Sequence, residues 1–208
     1  MTVTSVRELG TARSKRSEVT VDGALRFVLY DAEIRRYGIS QGDEIDDAVF
    51  DEIMNSLLPE RAKKRAMNLL KNRDYTEAAL REKLTDGGYP DDAVRTALEY
   101  VKSYGYIDDE RYAENYVRYR MESEPRRKLE LKLLEKGIDR NTVRDVTDRC
   151  YEESDNGTED PEDAQIRKLM KKKNIDPETS TYEEKQKFMA AAVRRGYSYD
   201  AITRVFSS

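Results

Sequence analysis

Apolar positions in the last two thirds of the chain recur at helical spacing, and one pattern occurs three times. In each copy, two apolar residues one helical turn apart are followed by a glycine, an apolar residue and a later apolar residue. The copies start at Leu80, Leu129 and Phe188, and their glycines are Gly88, Gly137 and Gly196. Because such spacing forms one helical face and glycine commonly ends a helix, each copy predicts a helix, a glycine turn and a second helix.

A further helix is predicted ahead of each copy, at about 61–72, 109–122 and 162–173. The chain is therefore mainly α and contains three tandem three-helix repeats, predicted at 61–107, 108–154 and 162–208. A polar segment rich in turn formers, 155–161, is the predicted hinge before the third repeat. Units of this size bury little surface alone, so we expect them to form an elongated stack.

The junction between the first two repeats shows the helix signals most clearly. Val94, Leu98 and Val101 form an apolar stripe, and Gly105 follows where the helix should end. Glycine adopts the left-handed conformation without a Cβ penalty, so Gly105 is the expected residue after the helix. Asp108 or the aspartate after it is expected to cap the next helix.

Residues 1–60 predict a small α+β head, which contains a β-hairpin. The hairpin is predicted from two β-prone runs, 19–21 and 24–29, around Asp22-Gly23, a strong type I′ turn signal. Residues 1–17 are polar and mixed in charge, and we expect a loose arm there.

Two helical segments should complete this head. Residues 31–37 predict a helical turn ending at Gly38. Residues 43–58 predict a short amphipathic helix, which Pro59 should end.

Composition argues against an enzyme. The 208 residues include no histidine and one cysteine, Cys150, which excludes a histidine-based catalytic triad and a cysteine cluster for zinc. No glycine-rich phosphate-binding loop occurs, and acidic and basic residues mix at helical spacing, as on solvated helix faces. We therefore expect no catalysis, no metal and no cofactor, and Cys150 to be a small buried residue.

The same composition predicts a cytoplasmic protein. No run approaches the roughly 20 apolar residues that a membrane span needs. The N-terminal residues lack the apolar core of a signal peptide, and a single cysteine cannot form an internal disulfide.

Three motifs closely resemble the RecX family, the small bacterial regulators of the RecA recombinase. They are 70–84 (LKNRDYTEAALREKL), 105–113 (GYIDDERYA) and 134–138 (LEKGI). The resemblance is good over about 60–150, and the repeat pattern extends it to the end of the chain.

The resemblance implies a protein of recombination, DNA repair and the SOS response. Such a protein binds the RecA filament on single-stranded DNA and inhibits its ATPase, strand exchange and co-protease activities. We expect a monomer that also makes weak direct contact with DNA. Two alternatives remain open, a helix-turn-helix-like DNA-binding module and a generic helical-repeat adaptor.

Basic residues are the candidates for partner contact, since residues 61–107 carry 10 basic and 7 acidic side chains, a net charge of +3 against −4 for the whole chain. The pattern fits either a basic stripe facing acidic protein or DNA phosphates, or ordinary solvated helix faces. Arg73 and Arg81 lie in the best-matching motif. The full set of candidates is Arg61, Lys64, Arg65, Lys71, Arg73, Arg81, Lys83, Arg118, Arg120, Arg126, Arg127, Lys128 and Lys132.

The 14 tyrosines suggest aromatic platforms for single-stranded nucleic acid. Four of them, Tyr100, Tyr104, Tyr112 and Tyr116, lie at helical spacing. That spacing favours core or core-edge positions for these four.

Overall fold

A computed structural model describes residues 1–9, 15–154 and 160–207. The chain divides into two compact units, Met1–Ile107 and Asp108–Ser208. The first unit contains β1 Val3–Glu8, β2 Arg16–Val21, β3 Leu25–Tyr30, α1 Asp31–Tyr37, α2 Asp47–Glu52, α3 Leu58–Leu70, α4 Glu77–Thr85 and α5 Asp91–Ser103. The second contains α6 Asp109–Arg120, α7 Arg126–Glu135, α8 Arg140–Ser154, α9 Pro161–Lys173, α10 Tyr182–Arg195 and α11 Tyr199–Phe206. The expectation of a mainly helical protein with a β-containing head is confirmed.

The predicted hairpin is the β2–β3 pair of a three-stranded antiparallel sheet in the order β1-β2-β3. Asp22 and Gly23 at its turn have φ values of 49° and 72°. Positive φ at both residues is what a type I′ turn requires.

The expectation of a loose arm over 1–17 is wrong where the structure describes these residues. Val3–Glu8 is a strand that pairs with β2, and the side chain of Val3 is fully buried. Pairing satisfies the backbone groups that would otherwise be exposed along the outer edge of β2. The polar side chains of this segment gave no sign of a strand in the sequence, because an edge strand with one buried face tolerates polar residues on its other face.

The predicted helix break at Pro59 is also wrong. Residues 53–57 form a π-helical turn that links α2 to α3, and the Leu58 N–H donates to the Ile53 carbonyl oxygen. Proline has no N–H to donate, so the chain must skip an α-helical hydrogen bond near this position. A single wide turn makes that adjustment while the chain remains helical. The helix start also differs: α2 begins at Asp47, capped by Asp46, rather than at residue 43.

One hydrophobic core serves both the sheet and the first three-helix repeat. Phe27 and Leu29 of β3 belong to the same buried cluster as Leu58, Leu84 and other residues of α3, α4 and α5. The head and the first repeat therefore form one compact unit.

Gly88 brings the α4–α5 turn against β3. Its φ is 81°, and a Cβ at this position would lie 2.2 Å from Cγ2 of Val28. The Val28 N–H donates to the Gly88 carbonyl oxygen at 3.2 Å. Glycine is required here both for its backbone conformation and for the close approach of the strand.

The second unit has a separate core for each of its two repeats. Leu129 and Leu133 of α7 lie in the first core, together with Cys150, which is fully buried as expected. Phe188 of α10 and Ile202 of α11 lie in the second core. The repeat glycines Gly88, Gly137 and Gly196 all have positive φ, at 81°, 80° and 102°. This confirms the glycine turns of the repeat pattern.

Polar side chains of α9 link the two repeats of this unit. The Gln165 side chain donates to the Met121 carbonyl oxygen at 2.6 Å and accepts from the Tyr197 hydroxyl at 3.2 Å. Most of the predicted hinge, 155–159, lies outside the described residues. Asp160 caps α9, and Pro161 is its first residue, a position that proline favours.

Glu162 is a buried carboxyl group at the same junction. Burial raises its pKa to about 7, and the negative charge of Asp160 adds to this effect. The backbone N–H groups of Arg126 and Ser198 act in the opposite direction, since they donate to the carboxylate. Its Oε1 atom still has no hydrogen-bond partner among the described residues.

Candidate partner-binding surface

Four of the predicted contact residues form an exposed basic surface, which we call the α3 basic surface: Lys64, Arg65, Lys71 and Arg73. Lys64 and Lys71 are seven residues apart, two helical turns, and therefore lie on one side of this segment. None of the four forms an ion pair within 4.0 Å among the described residues, although Lys64 adds to the effect of Lys63 in lowering the pKa of the exposed Glu60 carboxyl group. Their charge is therefore available to a partner, apart from screening by salt.

Arg73 is oriented by an aromatic ring. Its guanidinium carbon lies 4.5 Å from the centre of the Tyr75 ring. This cation–π contact leaves the guanidinium N–H groups free to donate to an anionic partner.

Arg61 has a structural role instead. Its side chain is only 15% exposed, and it donates to Glu33 at 2.6 Å and to the Val28 carbonyl oxygen. Its guanidinium also lies over the rings of Tyr30 and Tyr89. Arg61 thus joins α3 to β3 and α1, and most of its side chain is buried.

The two candidates on α4 have acidic neighbours on or next to their own helix. Arg81 pairs with Glu77 at 3.3 Å, and Lys83 pairs with Asp86 at 3.7 Å. Lys102 of α5 donates a hydrogen bond to the Glu77 carboxylate at 2.7 Å. This hydrogen bond is the main reason that the pKa of Glu77 is lowered. The α4 cations are therefore partly neutralised.

Most candidates of the second repeat are likewise paired. Glu124 accepts from Arg120 at 3.0 Å, from Lys128 at 3.3 Å and from Lys132 at 2.5 Å, and the Lys132 contact is the main cause of its lowered pKa. Arg118 pairs with Glu114 and Glu153, and Arg126 pairs with Glu130 and Asp148. Arg127 differs, because it is exposed and has no carboxylate partner within the described ranges.

The prediction for the tyrosines holds for three of the four. Tyr100, Tyr112 and Tyr116 are partly buried against the hydrophobic cores. Tyr104 is 61% exposed, and its ring stacks on Tyr106, which is 48% exposed, at a centroid distance of 5.9 Å. Tyr104 directly follows the last residue of α5, so helical spacing no longer determines which way it faces.

Two other kinds of site concern metal ions and membranes. Within residues 1–9, 15–154 and 160–207, no group of three or more His, Cys, Asp or Glu side chains is arranged to hold a metal ion. In that same part of the chain, no helix combines the length and the apolar composition that crossing a membrane requires.

Models of three domains from one protein family match successive parts of the chain. "RecX, first three-helix domain" matches 62–100, "RecX, second three-helix domain" matches 108–146, and "RecX, third three-helix domain" matches 160–206. The chain belongs to the RecX family. Its three repeats are the three RecX domains.

RecX relatives match almost the entire chain. A "Regulatory protein RecX" of Clostridium perfringens (strain 13 / Type A) is 31% identical over 206 residues, which are 98% of this chain and 93% of the relative. A protein of the same name from Caldanaerobacter subterraneus subsp. tengcongensis is 26% identical and covers 94% of each chain. The relatives are thus named as regulators and not for an enzymatic reaction.

Two solved RecX structures share the fold. One, described as regulatory protein RecX, has a TM-score of 0.61 at 18% identity and covers 100% of this chain and 99% of its own. RecX from Lactobacillus salivarius has a TM-score of 0.59 at 22% identity and covers 72% of this chain and 95% of its own.

Proposed function

We propose that this RecX protein is a mainly negative regulator of RecA. It binds the RecA filament on single-stranded DNA in the cytoplasm and inhibits the ATPase, strand exchange and co-protease activities of that filament. Recombination, DNA repair and the SOS response are the processes that it would affect.

The observation that carries this proposal is the α3 basic surface within a chain made of three RecX domains. Four exposed cations within ten residues, none of them in an ion pair among the described residues, repel one another, and this repulsion has a cost. Contact with an anionic partner, either acidic protein surface or phosphate groups, would offset that repulsion and explain their presence.

The proposed mechanism is binding and not chemistry. A protein that binds one state of the filament more tightly than another shifts the equilibrium toward the state it prefers. Several repeats that each contribute a weak contact give a strong combined affinity, provided that they bind simultaneously.

Direct binding to assembled filaments tests this proposal. The protein, labelled with a fluorophore, is titrated with RecA filaments on oligothymidine, with oligothymidine alone and with RecA in the absence of DNA. We expect a rise in anisotropy with filaments at concentrations where the two controls give little change. Equal binding to bare oligothymidine would contradict a filament-directed regulator.

A second candidate function is direct binding of single-stranded DNA, which the stacked, exposed Tyr104 and Tyr106 rings favour. Lys63 lies over the neighbouring Tyr100 ring at 5.3 Å, so a cation accompanies this aromatic cluster. Bases stack on exposed aromatic rings, and cations hold the backbone. The oligothymidine titration measures this activity directly.

A further inference from the structure

The second unit contains an open cleft of about 760 Å³, and two of the predicted contact residues, Arg127 and Lys128, help to line it. One wall is the start of α7 and the other is the last turn of α10. Gly196 closes one end, since a Cβ there would lie 3.5 Å from the Lys128 Cβ and 3.7 Å from the Pro125 Cβ. The residues that define the cleft chemically are Arg127, Lys128, Leu131, Val193, Arg194 and Arg195.

The charge of the cleft is entirely positive among its described lining residues, which include no aspartate or glutamate. Lys128 contacts Glu124 outside the lining at 3.3 Å. Arg127, Arg194 and Arg195 are exposed and have no carboxylate partner in the part of the chain that the structure describes. Three arginines that converge in this way can donate several charge-assisted hydrogen bonds to carboxylates.

Helix stability does not account for the cations of α7. Arg127 and Lys128 lie in the first turn of α7, which has no acidic residue. Cations at this end of a helix oppose the macrodipole and are unfavourable there. Arg194 and Arg195 differ, since the last turn of α10 favours cations. Glu124 compensates Lys128, so a ligand is the better explanation for Arg127, which has no such carboxylate among the described residues.

The apolar part of the cleft indicates the kind of ligand. Leu131 is 53% exposed and Val193 is 40% exposed, so two aliphatic side chains are open to solvent beside the arginines. Tyr197, the aromatic residue of the lining, is buried. Aliphatic contact suits aliphatic side chains, whereas nucleic-acid bases prefer exposed aromatic rings for stacking.

We propose that this cleft binds an acidic peptide segment that carries aliphatic side chains. The carboxylates of the segment pair with Arg127, Arg194 and Arg195, and its aliphatic groups cover Leu131 and Val193. The inference goes beyond the proposed function, because it holds whichever protein carries the segment.

The test uses the full-length protein and a fluorescein-labelled dodecapeptide in which glutamates flank two leucines. Anisotropy reports binding to the wild type, to Arg127→Glu with Arg194→Glu, and to Leu131→Ser. We expect saturable binding to the wild type, at least a tenfold loss for the double variant and a smaller loss for Leu131→Ser.

The matched control is Arg144→Glu with Lys172→Glu, which changes the net charge equally on exposed residues of the same unit outside the cleft. It should retain most of the affinity, and circular dichroism should show equal folding of all variants. The proposal is overturned if the peptide does not bind, if the control loses affinity as strongly as the cleft variant, or if unlabelled oligothymidine displaces the peptide from the cleft. Because RecA is absent from this assay, its outcome is separate from that of the filament experiment.

Discussion

Among single residues, the candidate cations differ in whether a carboxylate neutralises them. Arg61 and Arg73 come from the same basic stretch of sequence, yet Arg61 is buried against Glu33 and Arg73 is exposed over Tyr75. Sequence spacing cannot separate the two cases, because the partner of Arg61 is 28 residues away and is brought close only by the fold. Partner contact is therefore expected at Arg73 and its unpaired neighbours.

Reversing two charges of the α3 basic surface should weaken inhibition of RecA. For Lys71→Glu with Arg73→Glu, we expect about a tenfold higher half-inhibitory concentration, since two exposed charges contribute about 0.5–1 kcal/mol each. The control, Arg81→Glu with Lys83→Glu, makes the same charge change at cations that are already paired. Equal loss in both variants would show that net charge alone, and not this surface, determines inhibition.

The turn glycines should differ in how strongly they resist substitution. Gly105 has a φ of 66° and open space around a Cβ, so Gly105→Val should cost about 1–2 kcal/mol from backbone strain alone. Gly88→Ala should cost more, because its Cβ would meet Val28. Urea unfolding measures both values, with Gly105→Asn as a control, since asparagine tolerates positive φ. A Gly105→Val protein as stable as the wild type would contradict the turn.

At the scale of helices and strands, the sequence predicts those features that depend only on residues close together in the chain. The Asp22-Gly23 turn and the repeat glycines are local signals, and the structure has both. Strand β1 and the π-helical turn depend on partners elsewhere: an open strand edge for the first, and the continued packing of α3 beyond Pro59 for the second. Local patterns cannot reveal such partners.

Buried polar groups between helices are missed for the same reason. Glu162 follows a proline at a helix start, where an acidic residue is ordinary, so the sequence gives no sign that it is buried. Its environment comes from α7 and α11, which are distant along the chain.

Glu162 should make the second unit less stable as the pH rises. Its folded-state pKa of about 7 lies above the usual value of 4.5, so the folded protein holds this proton more tightly than the unfolded chain. Stability from this group is therefore present at low pH and is lost as the pH rises between these two values, by up to about 3 kcal/mol.

Glu162→Gln removes that charge and isolates the effect. Urea unfolding of the wild type and the variant at about pH 5 and about pH 8 should show the variant to be the more stable protein at the higher pH, with little difference at the lower one. Comparing the two proteins removes contributions from Glu77, Glu124 and other carboxyl groups with lowered pKa values, which act in the opposite direction. A constant difference between the proteins at both pH values would contradict the raised pKa.

At the scale of the whole molecule, we expect several surfaces, which belong to different repeats, to bind partners. The first unit presents the α3 basic surface, and the second presents the α7–α10 cleft. Under the proposed function, both surfaces bind partners, and the protein acts by changing the state of what it binds. Exposed cations also make that binding sensitive to ionic strength, because salt screens charges in water.

The most direct test of the central proposal is the DNA-stimulated ATPase of a cognate RecA filament, titrated with this protein at two salt concentrations. We expect inhibition when this protein is present in fewer copies than RecA, with weaker inhibition at the higher salt concentration. We also expect little binding to bare single-stranded DNA under the same conditions. An unchanged ATPase throughout the titration, together with salt-sensitive binding to bare DNA, would contradict a regulator of the filament and favour a DNA-binding protein instead.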